Sequence, residues 1–308
     1  MEIIDIFQKP LQKAPTVLAL GLFDGVHIGH KALLKETVRI AKEKGVLPAV
    51  FTFHQTAYKK APSLYPREVT YRQMEALGIG RIYEADFSAI SSFSPETFVE
   101  KILRGVCTPL CVLCGDNFRF GQGAKGNADT LCRLFSKEGE EVKVLPPVEL
   151  AGETVSSSLV REALKDGKPE NARAYLGKAY TLYGRVSHGK ALGRTMHFPT
   201  INLEIPSDFL VPKRGVYATV AKIGDIFYPS VSNIGRRPTV EQTEVDNCET
   251  HLLDASGDFY GQTVEVRLLA YLREEQLFSG KDALMQQIAQ DVAHAKEWFA
   301  AHKIEGQA

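Results

Sequence analysis

Short apolar runs alternate with longer amphipathic stretches in the first part of the chain. The run from Thr16 to Gly21 precedes a loop and a helical pattern over about 30–44, and further apolar runs cover 46–53 and 110–113. Such runs predict buried strands, and their alternation with helices predicts a parallel sheet covered on both faces. Glycine-rich loops follow the strands. Because open parallel sheets bind ligands beyond the carboxyl ends of their strands, these loops mark a candidate nucleotide pocket.

The pattern changes after about Tyr180. The apolar runs become short, alternate with polar residues and are separated by glycine-rich turns, which predicts an antiparallel β-barrel or sandwich. From Gly280 to Phe299 the apolar residues recur every three or four positions, which predicts one helix laid on the barrel. The stretch 156–176 predicts two short helices that end the first domain. We therefore expect two domains, 1–180 and 181–308.

Composition excludes several classes of protein. The 308 residues include 37 Lys plus Arg and 37 Asp plus Glu, so no global charge favours nucleic-acid or membrane binding. No apolar stretch approaches the roughly 20 residues that span a bilayer, and the first residues lack a leader pattern, so we expect a cytoplasmic protein. The oligomeric state stays open between a monomer and a weak homo-oligomer. Partners should be small molecules.

The five cysteines are expected to be reduced, buried thiols. Cys111 and Cys114 lie in a strand-like run, where residues three apart point to opposite faces and cannot share one ion. Free cysteine is among the most buried residue types.

Two histidines three residues apart, His27 and His30, follow the first predicted strand and enter the first helix. A helix N-terminus favours phosphate, and two imidazoles add donors that stabilise charge on a phosphoryl oxygen. The structural alternative is a capping loop with a buried, hydrogen-bonded histidine. We predict His27 and His30 as catalytic residues, and the predicted ATP-binding residues of this segment are Gly21, Phe23, Asp24, Gly25 and Gly29.

The segment GLFDGVHIGH at 21–30 resembles the HxGH motif of the nucleotidyltransferase superfamily and, in its full length, the bacterial bifunctional riboflavin kinase/FAD synthetase family. The segment CGDNFRFG at 114–121 is similar to the GxDFxFG loop of that family, which implies flavin-binding roles for Asn117, Arg119 and Phe120. A solvated surface cation is the alternative for Arg119. The family usually reads TFxPHP after its second strand, whereas this chain has His54, Gln55, Thr56 and Ala57 after Thr52-Phe53.

The segment VSSSLVR at 155–161 resembles the ISSTxIR motif of the same family. The resemblance implies that hydroxyls and amides at a helix start, together with one catalytic arginine, hold the ATP phosphates. The residues concerned are Ser156, Ser157, Ser158 and Arg161. The alternative is a simple N-cap with a surface arginine.

The second half resembles the riboflavin kinase pattern GxVxxGxxxGRxxGFPTANL over 184–203. Its glycines allow a loop to wrap a polyphosphate, its cations offset charge, and its threonine and asparagine offer neutral oxygens to Mg²⁺ shared with ATP. The predicted phosphate-binding residues are Gly189, Lys190, Gly193 and Arg194, and the predicted metal-binding residues are Thr200 and Asn202. His197 stands where the family has glycine.

Two further segments complete the resemblance. NIGRRPT at 233–239 is similar to the family's NIGxRPT loop, which implies flavin-binding roles for Asn233 and Arg237. ETHLLD at 249–254 is similar to ExHLLD, which implies that Glu249 is the base that accepts the riboflavin 5′-hydroxyl proton. A solvated strand residue, or a salt bridge to Arg237, is the alternative for Glu249. Asp291 on the final helix either borders the flavin site or faces solvent.

The resemblance implies a Rossmann-like α/β nucleotidyltransferase domain of the HxGH superfamily, followed by an antiparallel β-barrel riboflavin kinase domain with a C-terminal helix. It also implies an enzyme that phosphorylates riboflavin to FMN and then adenylylates FMN to FAD, with ATP and Mg²⁺ at both sites. Two alternatives remain open. One is a kinase with an impaired adenylyltransferase domain, and the other is a non-catalytic flavin-binding regulator.

Overall fold

The computed structural model divides the chain into two compact units, Met1–Ser157 and Ser158–Ala308. The residues that it describes are 1–8, 13–53, 61–135, 140–187, 200–238, 244–255 and 257–302. None of the helices in these ranges is long and apolar enough to cross a membrane.

The first unit contains a six-stranded parallel sheet, as the sequence predicts. The strand order is β1-β4-β3-β2-β5-β8, and β6–β7 and β9–β10 form two small antiparallel pairs. The strands are β1 (Glu2–Asp5), β2 (Thr16–Leu20), β3 (Leu47–Phe53), β4 (Arg81–Ala85), β5 (Pro109–Gly115), β6 (Arg119–Phe120), β7 (Gly126–Asn127), β8 (Glu141–Leu145), β9 (Glu149–Leu150) and β10 (Glu153–Thr154). The helices are α1 (Ile28–Lys44), α2 (Arg67–Ala76), α3 (Phe87–Ile90), α4 (Pro95–Thr97) and α5 (Ala128–Phe135), with a π-helix at Phe98–Cys107 and a 3₁₀ turn at Gln122–Ala124.

Both faces of this sheet are covered because successive residues of a buried strand serve opposite sides. All five residues of β2 are buried. Val17 and Ala19 pack with residues of α1 and α2, whereas Leu18 and Leu20 pack with the π-helix and α5. The cysteines are free, and Cys132 alone among the five is only half-buried.

Helix α1 begins at Ile28, two residues before the start that its apolar pattern predicts. The reason is its N-cap, because the side chain of His27 accepts the backbone N–H of His30. The helix ends at Gly45, whose left-handed φ of 66° lets its N–H reach the carbonyls of Ala41 and Lys42.

The second unit is an antiparallel six-stranded barrel with three helices. Its strand order is β11-β16-β13-β14-β15-β12, and a bridge between Ser187 and Asn202 brings the end of β11 to β12, so the sheet nearly closes on itself. The strands are β11 (Thr181–Arg185), β12 (Thr200–Glu204), β13 (Gly215–Ile223), β14 (Ile226–Pro238), β15 (Glu244–Leu252) and β16 (Thr263–Arg273). The helices are α6 (Ser157–Lys165), α7 (Pro169–Leu176) and α8 (Lys281–Ala301).

The sequence analysis placed α6 and α7 before the domain boundary at 180, whereas the compact units divide at 157/158. The contacts explain the difference. The end of α6 joins the barrel because the backbone N–H of Lys213 donates to the carbonyl of Leu164 (2.9 Å). The turn after it also packs on the barrel, since a Cβ at Gly167 would lie 2.9 Å from Cδ of Lys213.

The barrel interior contains a chain of hydroxyl groups. Thr219 Oγ1 lies 2.9 Å from Oγ of Ser230 and 2.8 Å from Oγ of Ser232, and Ser232 Oγ lies 2.7 Å from Oγ1 of Thr250. All four side chains are fully buried. We call Thr219, Ser230, Ser232 and Thr250 the hydroxyl ladder. Such groups are tolerated in a core because they hydrogen-bond to one another across the strands.

Replacement of Thr219 by valine should destabilise the barrel by about 2 kcal/mol, because two buried hydroxyls lose a partner. The measurement is denaturant unfolding followed by emission of the single tryptophan, Trp298, which packs on the barrel from α8. Thr219→Ser keeps the hydroxyl and is the matched control. Equal unfolding midpoints for Thr219→Val and the wild type would contradict the structural role given to the ladder.

Candidate active sites

The loop between β2 and α1 is tight and strained at the carboxyl edge of the parallel sheet. Phe23 (φ 52°) and Val26 (φ 44°) adopt left-handed backbone conformations that L-residues with side chains rarely take, and Gly25 lies between them (φ 83°). Both Phe23 and Val26 are fully buried and belong to the core beside α1. Burial of these side chains holds the loop in this shape and turns its backbone towards the start of α1.

The two histidines of this loop stack on each other at the helix start. Their ring centroids are 3.7 Å apart with 23° between the planes. Gly29 leaves room for this arrangement, since a Cβ there would lie 3.1 Å from Cε1 of His27. The structure thus brings His27, His30 and the N-terminus of α1 together, as the sequence predicts.

Burial of His27 decides its protonation state. The backbone N–H of His30 donates to Nδ1 of His27 (3.3 Å), so this nitrogen carries no proton. Desolvation by burial lowers the pKa of His27 from 6.5 to about 4, and the nearby charge of Asp24 opposes that change only partly. The imidazole is therefore neutral at pH 7, with its proton assigned to Nε2, which leaves Nε2 as a hydrogen-bond donor.

Asp24 ties three segments together. Its buried carboxylate accepts the backbone N–H of Leu64 (3.1 Å), and its carbonyl oxygen accepts the hydroxyl of Ser157 (2.8 Å). Ser157 is the last residue of the first unit and the first residue of α6, so it lies beside the loop that leads into α1. The roles of Asp24 and Ser157 seen here are architectural, because their hydrogen bonds hold the loop before α1 against Leu64 and Ser157.

The three predicted flavin-binding residues of the 115–127 segment differ in how exposed they are. Asn117 and Arg119 are exposed, and Nη1 of Arg119 donates to the carbonyl of Phe118 (3.0 Å). Phe120 is buried and stacks under Phe118 at 5.6 Å with 18° between the planes. Of these two rings, therefore, the half-buried ring of Phe118 is the one that is accessible to a ligand.

Sequence reasoning did not single out Phe118, Phe53, Phe87 or Lys31 as site residues. Phe53 ends β3 and contacts Phe51 and Phe87 edge-on at 5.5 and 5.3 Å, which makes an aromatic edge near the carboxyl ends of the strands. Lys31 lies in the first turn of α1, and partial burial together with the charge of Lys35 lowers its pKa. The sequence signal that could have identified the aromatic residues is the recurrence of phenylalanine at or just after the ends of predicted strands.

In the barrel, pairing brings a set of predicted kinase residues onto one face. Asn202 of β12 pairs with Glu249 of β15, and Glu249 pairs with Asn233 of β14. Directly paired residues point to the same side of a sheet, with Cβ atoms about 5 Å apart. Thr200 pairs with His251 and lies two residues from Asn202 on that same side. We call Asn202, Glu249 and Asn233 the outer row, because their neighbours Thr250 and Ser232 point into the interior. Within this row Glu249 is exposed, Asn233 is half-buried and Asn202 is buried.

Several predicted residues lie outside the part of the chain that the structure describes. These are Gly189, Lys190, Gly193, Arg194 and His197, the side chain of Arg237, and the segment His54 to Ala57, which differs from the usual pattern of the family. The described residues on either side of 188–199 are Ser187 and Thr200. The backbone N–H of Ser187 donates to the carbonyl of Asn202 (2.9 Å), so Ser187 lies beside the outer row.

Comparison with known proteins divides the chain in the same order. A family model described as FAD synthetase matches residues 9–159, and one described as riboflavin kinase matches residues 176–299. Three relatives are bifunctional riboflavin kinase/FMN adenylyltransferases. The Listeria monocytogenes protein is 32% identical (92% of each chain covered), the Bacillus subtilis protein 33% (94% of each), and the Escherichia coli K12 protein 34% (95% of this chain and 96% of the relative).

A solved structure shares the fold over nearly the whole chain. The crystal structure of a macrolide-efflux protein from Streptococcus pneumoniae superposes with a TM-score of 0.86 and 27% sequence identity, covering 97% of this chain and 100% of that one. That protein's name refers to efflux. The two family models and the curated relatives, in contrast, agree on two enzymatic activities.

His27 should stay uncharged down to about pH 5, and its protonation should destabilise the fold. The unfolded chain binds this proton near pH 6.5 and the folded chain only near pH 4. Because the unfolded state holds more protons in this window, stability falls as pH drops through it, by about 3 kcal/mol in all. A histidine C–H resonance that disappears in His27→Gln should therefore titrate near pH 4 in an NMR pH series. A midpoint above 6 would contradict the buried, neutral assignment.

Proposed function

The chain belongs to the family of bifunctional riboflavin kinase/FMN adenylyltransferases, and from this premise we propose which residues carry out each reaction. The enzyme phosphorylates riboflavin to FMN with ATP and adenylylates FMN with a second ATP to give FAD. We assign adenylylation to residues 1–180 and phosphorylation to residues 181–308. The matches to the two family models support this division.

Adenylylation needs no protein nucleophile. An oxygen of the FMN phosphate attacks the α-phosphorus of ATP, the bond from that phosphorus to the bridging oxygen of the β-phosphate breaks, and pyrophosphate leaves. The protein's task is to position the polyphosphate and to stabilise the charge on the α-phosphoryl oxygens. The arrangement that supports this assignment best is the loop of Asp24, which brings Ser157 of the same unit beside the start of α1 at His27.

Individual roles follow from this arrangement. Nε2–H of neutral His27 donates to a phosphoryl oxygen, and stacking against it orients the ring of His30 towards the same charge. Backbone N–H groups at Ser156 to Ser158 hold the outer phosphates, and Arg161, one turn further along α6, neutralises them. Gly25 permits the close approach of the polyphosphate to the backbone, whereas Gly21 and Gly29 leave room for the rings of Phe23 and His27 beside it.

The flavin ring of FMN takes the aromatic edge of the same unit. We assign stacking to Phe118, support of that ring to Phe120, and lateral contacts to Phe53. Asn117 and Arg119 are exposed at the mouth of the loop, where an amide and a guanidinium suit the polar rim of the flavin and its phosphate.

Phosphorylation of riboflavin uses the outer row. The carboxylate of Glu249 accepts the proton of the riboflavin 5′-hydroxyl while that oxygen attacks the γ-phosphorus, and ADP leaves. The observation that carries this assignment is the pairing of Glu249 between Asn202 and Asn233, which surrounds one exposed carboxylate with two amides that hydrogen-bond a flavin or a nucleotide. Lys190 and Arg194, with Gly189 and Gly193, are assigned to the ATP phosphates, and Arg237 to the flavin.

The residues beside Glu249 fit Mg²⁺ that arrives with ATP. Thr200 and Asn202 offer a hydroxyl and an amide oxygen on one face of β12, and a hard cation prefers oxygen ligands. No cluster of three or more His, Cys, Asp or Glu in the described ranges suits an all-protein metal centre, so nucleotide oxygens would supply the rest. When bound, Mg²⁺ neutralises charge on the β- and γ-phosphoryl groups.

A cytoplasmic location, the absence of nucleic-acid partners and the choice between a monomer and a weak homo-oligomer stay predictions from the sequence. The zero formal net charge supports the second of these.

Glu249→Gln should lower the rate of FMN formation from riboflavin by 10²- to 10⁴-fold, since the amide cannot accept the proton. Conversion of supplied FMN to FAD should be unchanged, because this reaction is assigned to the other unit. Chromatographic separation of riboflavin, FMN and FAD measures both reactions in one sample. Glu265→Gln is the matched control, as Glu265 is a half-buried glutamate of β16 paired with Arg267. Normal FMN formation by Glu249→Gln would overturn the assignment of the base.

His30→Ala should show the converse pattern. FMN-to-FAD conversion should fall by about 10²- to 10³-fold through lost charge stabilisation, while FMN formation from riboflavin continues. The control is His294→Ala on the exposed surface of α8. If wild-type protein made FMN but no FAD from either substrate, the adenylyltransferase assignment itself would fail.

A further inference from the structure

One ion pair is buried in the contact between α8 and the barrel. Nε of Arg273 donates to Oδ1 of Asp291 (2.7 Å) and Nη2 donates to Oδ2 (2.6 Å), so the guanidinium and the carboxylate meet through two parallel hydrogen bonds. Nε2 of Gln287 donates to Oδ1 of the same carboxylate (3.0 Å). The Asp291 side chain is 5% exposed and that of Arg273 is 19% exposed. The alternative that Asp291 faces solvent is therefore wrong.

The rest of this contact is apolar. Ala295 is fully buried among Val216, Ala218 and Ala270, and Val292, Trp298 and Phe299 pack around that cluster. Such surfaces are non-directional, so they stabilise the helix on the barrel without fixing its rotation or its position along its axis. A bidentate arginine–carboxylate pair fixes both, because its geometry allows one mutual orientation. Buried pairs are weak sources of net stability, and in some proteins buried polar groups instead specify register.

Arg273 lies in line with the outer row. Glu249 pairs with Asn233, Asn233 pairs with Val216, and Val216 pairs with Arg273. Three strand spacings of about 4.8 Å separate Arg273 from Glu249, so the guanidinium is too distant to touch the reacting atoms. Any effect of Arg273 on the reaction must pass through the elements that it holds.

Those elements reach the outer row. The segment 274–280 joins Arg273 to α8, and its Glu275 lies over β14: a Cβ at Gly235 would be 2.2 Å from Oε1 of Glu275 and 3.2 Å from Nδ2 of Asn233. The first turns of α8 carry Leu284, Met285 and Ile288, which are half-buried. They follow directly on the segment whose Glu275 lies beside Asn233, and a flavin ring with an attached ribityl chain requires apolar surface together with a few polar groups.

We propose that Arg273 and Asp291 are positioning residues that fix α8 and the 274–280 segment as the flavin-facing wall of the kinase site. This inference rests on the assignment of Glu249 and the outer row to riboflavin phosphorylation. The pair affects the binding of riboflavin, because it fixes the position of this wall. It does not act on the γ-phosphoryl group or on the base.

The test replaces the pair by apolar residues of similar size in the full chain, Arg273→Met with Asp291→Leu. The Michaelis constant for riboflavin should rise about tenfold or more, because the wall is no longer held in one place. The kcat for FMN formation and the Michaelis constant for ATP should stay within about twofold, and FMN-to-FAD conversion should be unchanged. Trp298 emission should show α8 docked and an unfolding midpoint not below that of the wild type.

Controls separate this role from a structural one. Lys296→Met removes an exposed ion pair of the same helix, with Asp254 (3.7 Å), and should leave the riboflavin constant unchanged. Asp291→Asn keeps the shape of the carboxylate and should raise that constant less than the double variant. An unchanged riboflavin constant in the double variant overturns the proposal, and so does a double variant that fails to fold or loses kcat alone. Failure of the kinase assignment would instead appear as full activity of Glu249→Gln.

Discussion

The register of the barrel strands is the constraint on which the kinase half depends. Side chains alternate between interior and outer face, so a slip of one residue in β15 would turn Glu249 inward and Thr250 outward. The hydroxyl ladder opposes such a slip, because Thr219, Ser232 and Thr250 hydrogen-bond only when three strands stand in this alignment. A polar interior thus specifies the polar exterior. An interior of valines would bury more apolar area but would tolerate the shifted pairing more readily.

The other half depends on a different device, a helix N-terminus whose cap is also a catalytic candidate. His27 gives its Nδ1 to the first turn of α1, and this structural use fixes the tautomer that leaves Nε2–H as a donor. Burial lowers the pKa of His27 and keeps the ring neutral, so Nε2–H donates to phosphate as an uncharged group. The carbonyl oxygen of Asp24 then holds the hydroxyl of Ser157 beside the same loop.

The sequence predicted the strands β2, β3 and β5 and helices α1, α6, α7 and α8 to within a few residues, because each has a clear apolar period or a cap. It did not predict β4, whose residues Arg81 and Glu84 look like surface positions. Both are buried, and their charges are satisfied by Glu2 and by Arg67 and Tyr71, residues that local patterning cannot connect to them. The sequence did not predict the π-helix at Phe98–Cys107 either, because its start has no side-chain cap.

The sequence by itself determined the order of two domains and the fold class of each, since those follow from periodicity. It indicated the two chemistries through the resemblance of its contiguous motifs to a known family. The tertiary structure alone decided which residues of separate motifs meet. Asn202, Glu249 and Asn233 become neighbours through strand pairing, and Asp291 becomes a buried partner of Arg273 through the docking of α8. The physical reason is that hydrogen bonding across strands and packing of helix on sheet join residues far apart in the chain, and local sequence carries no record of those distances.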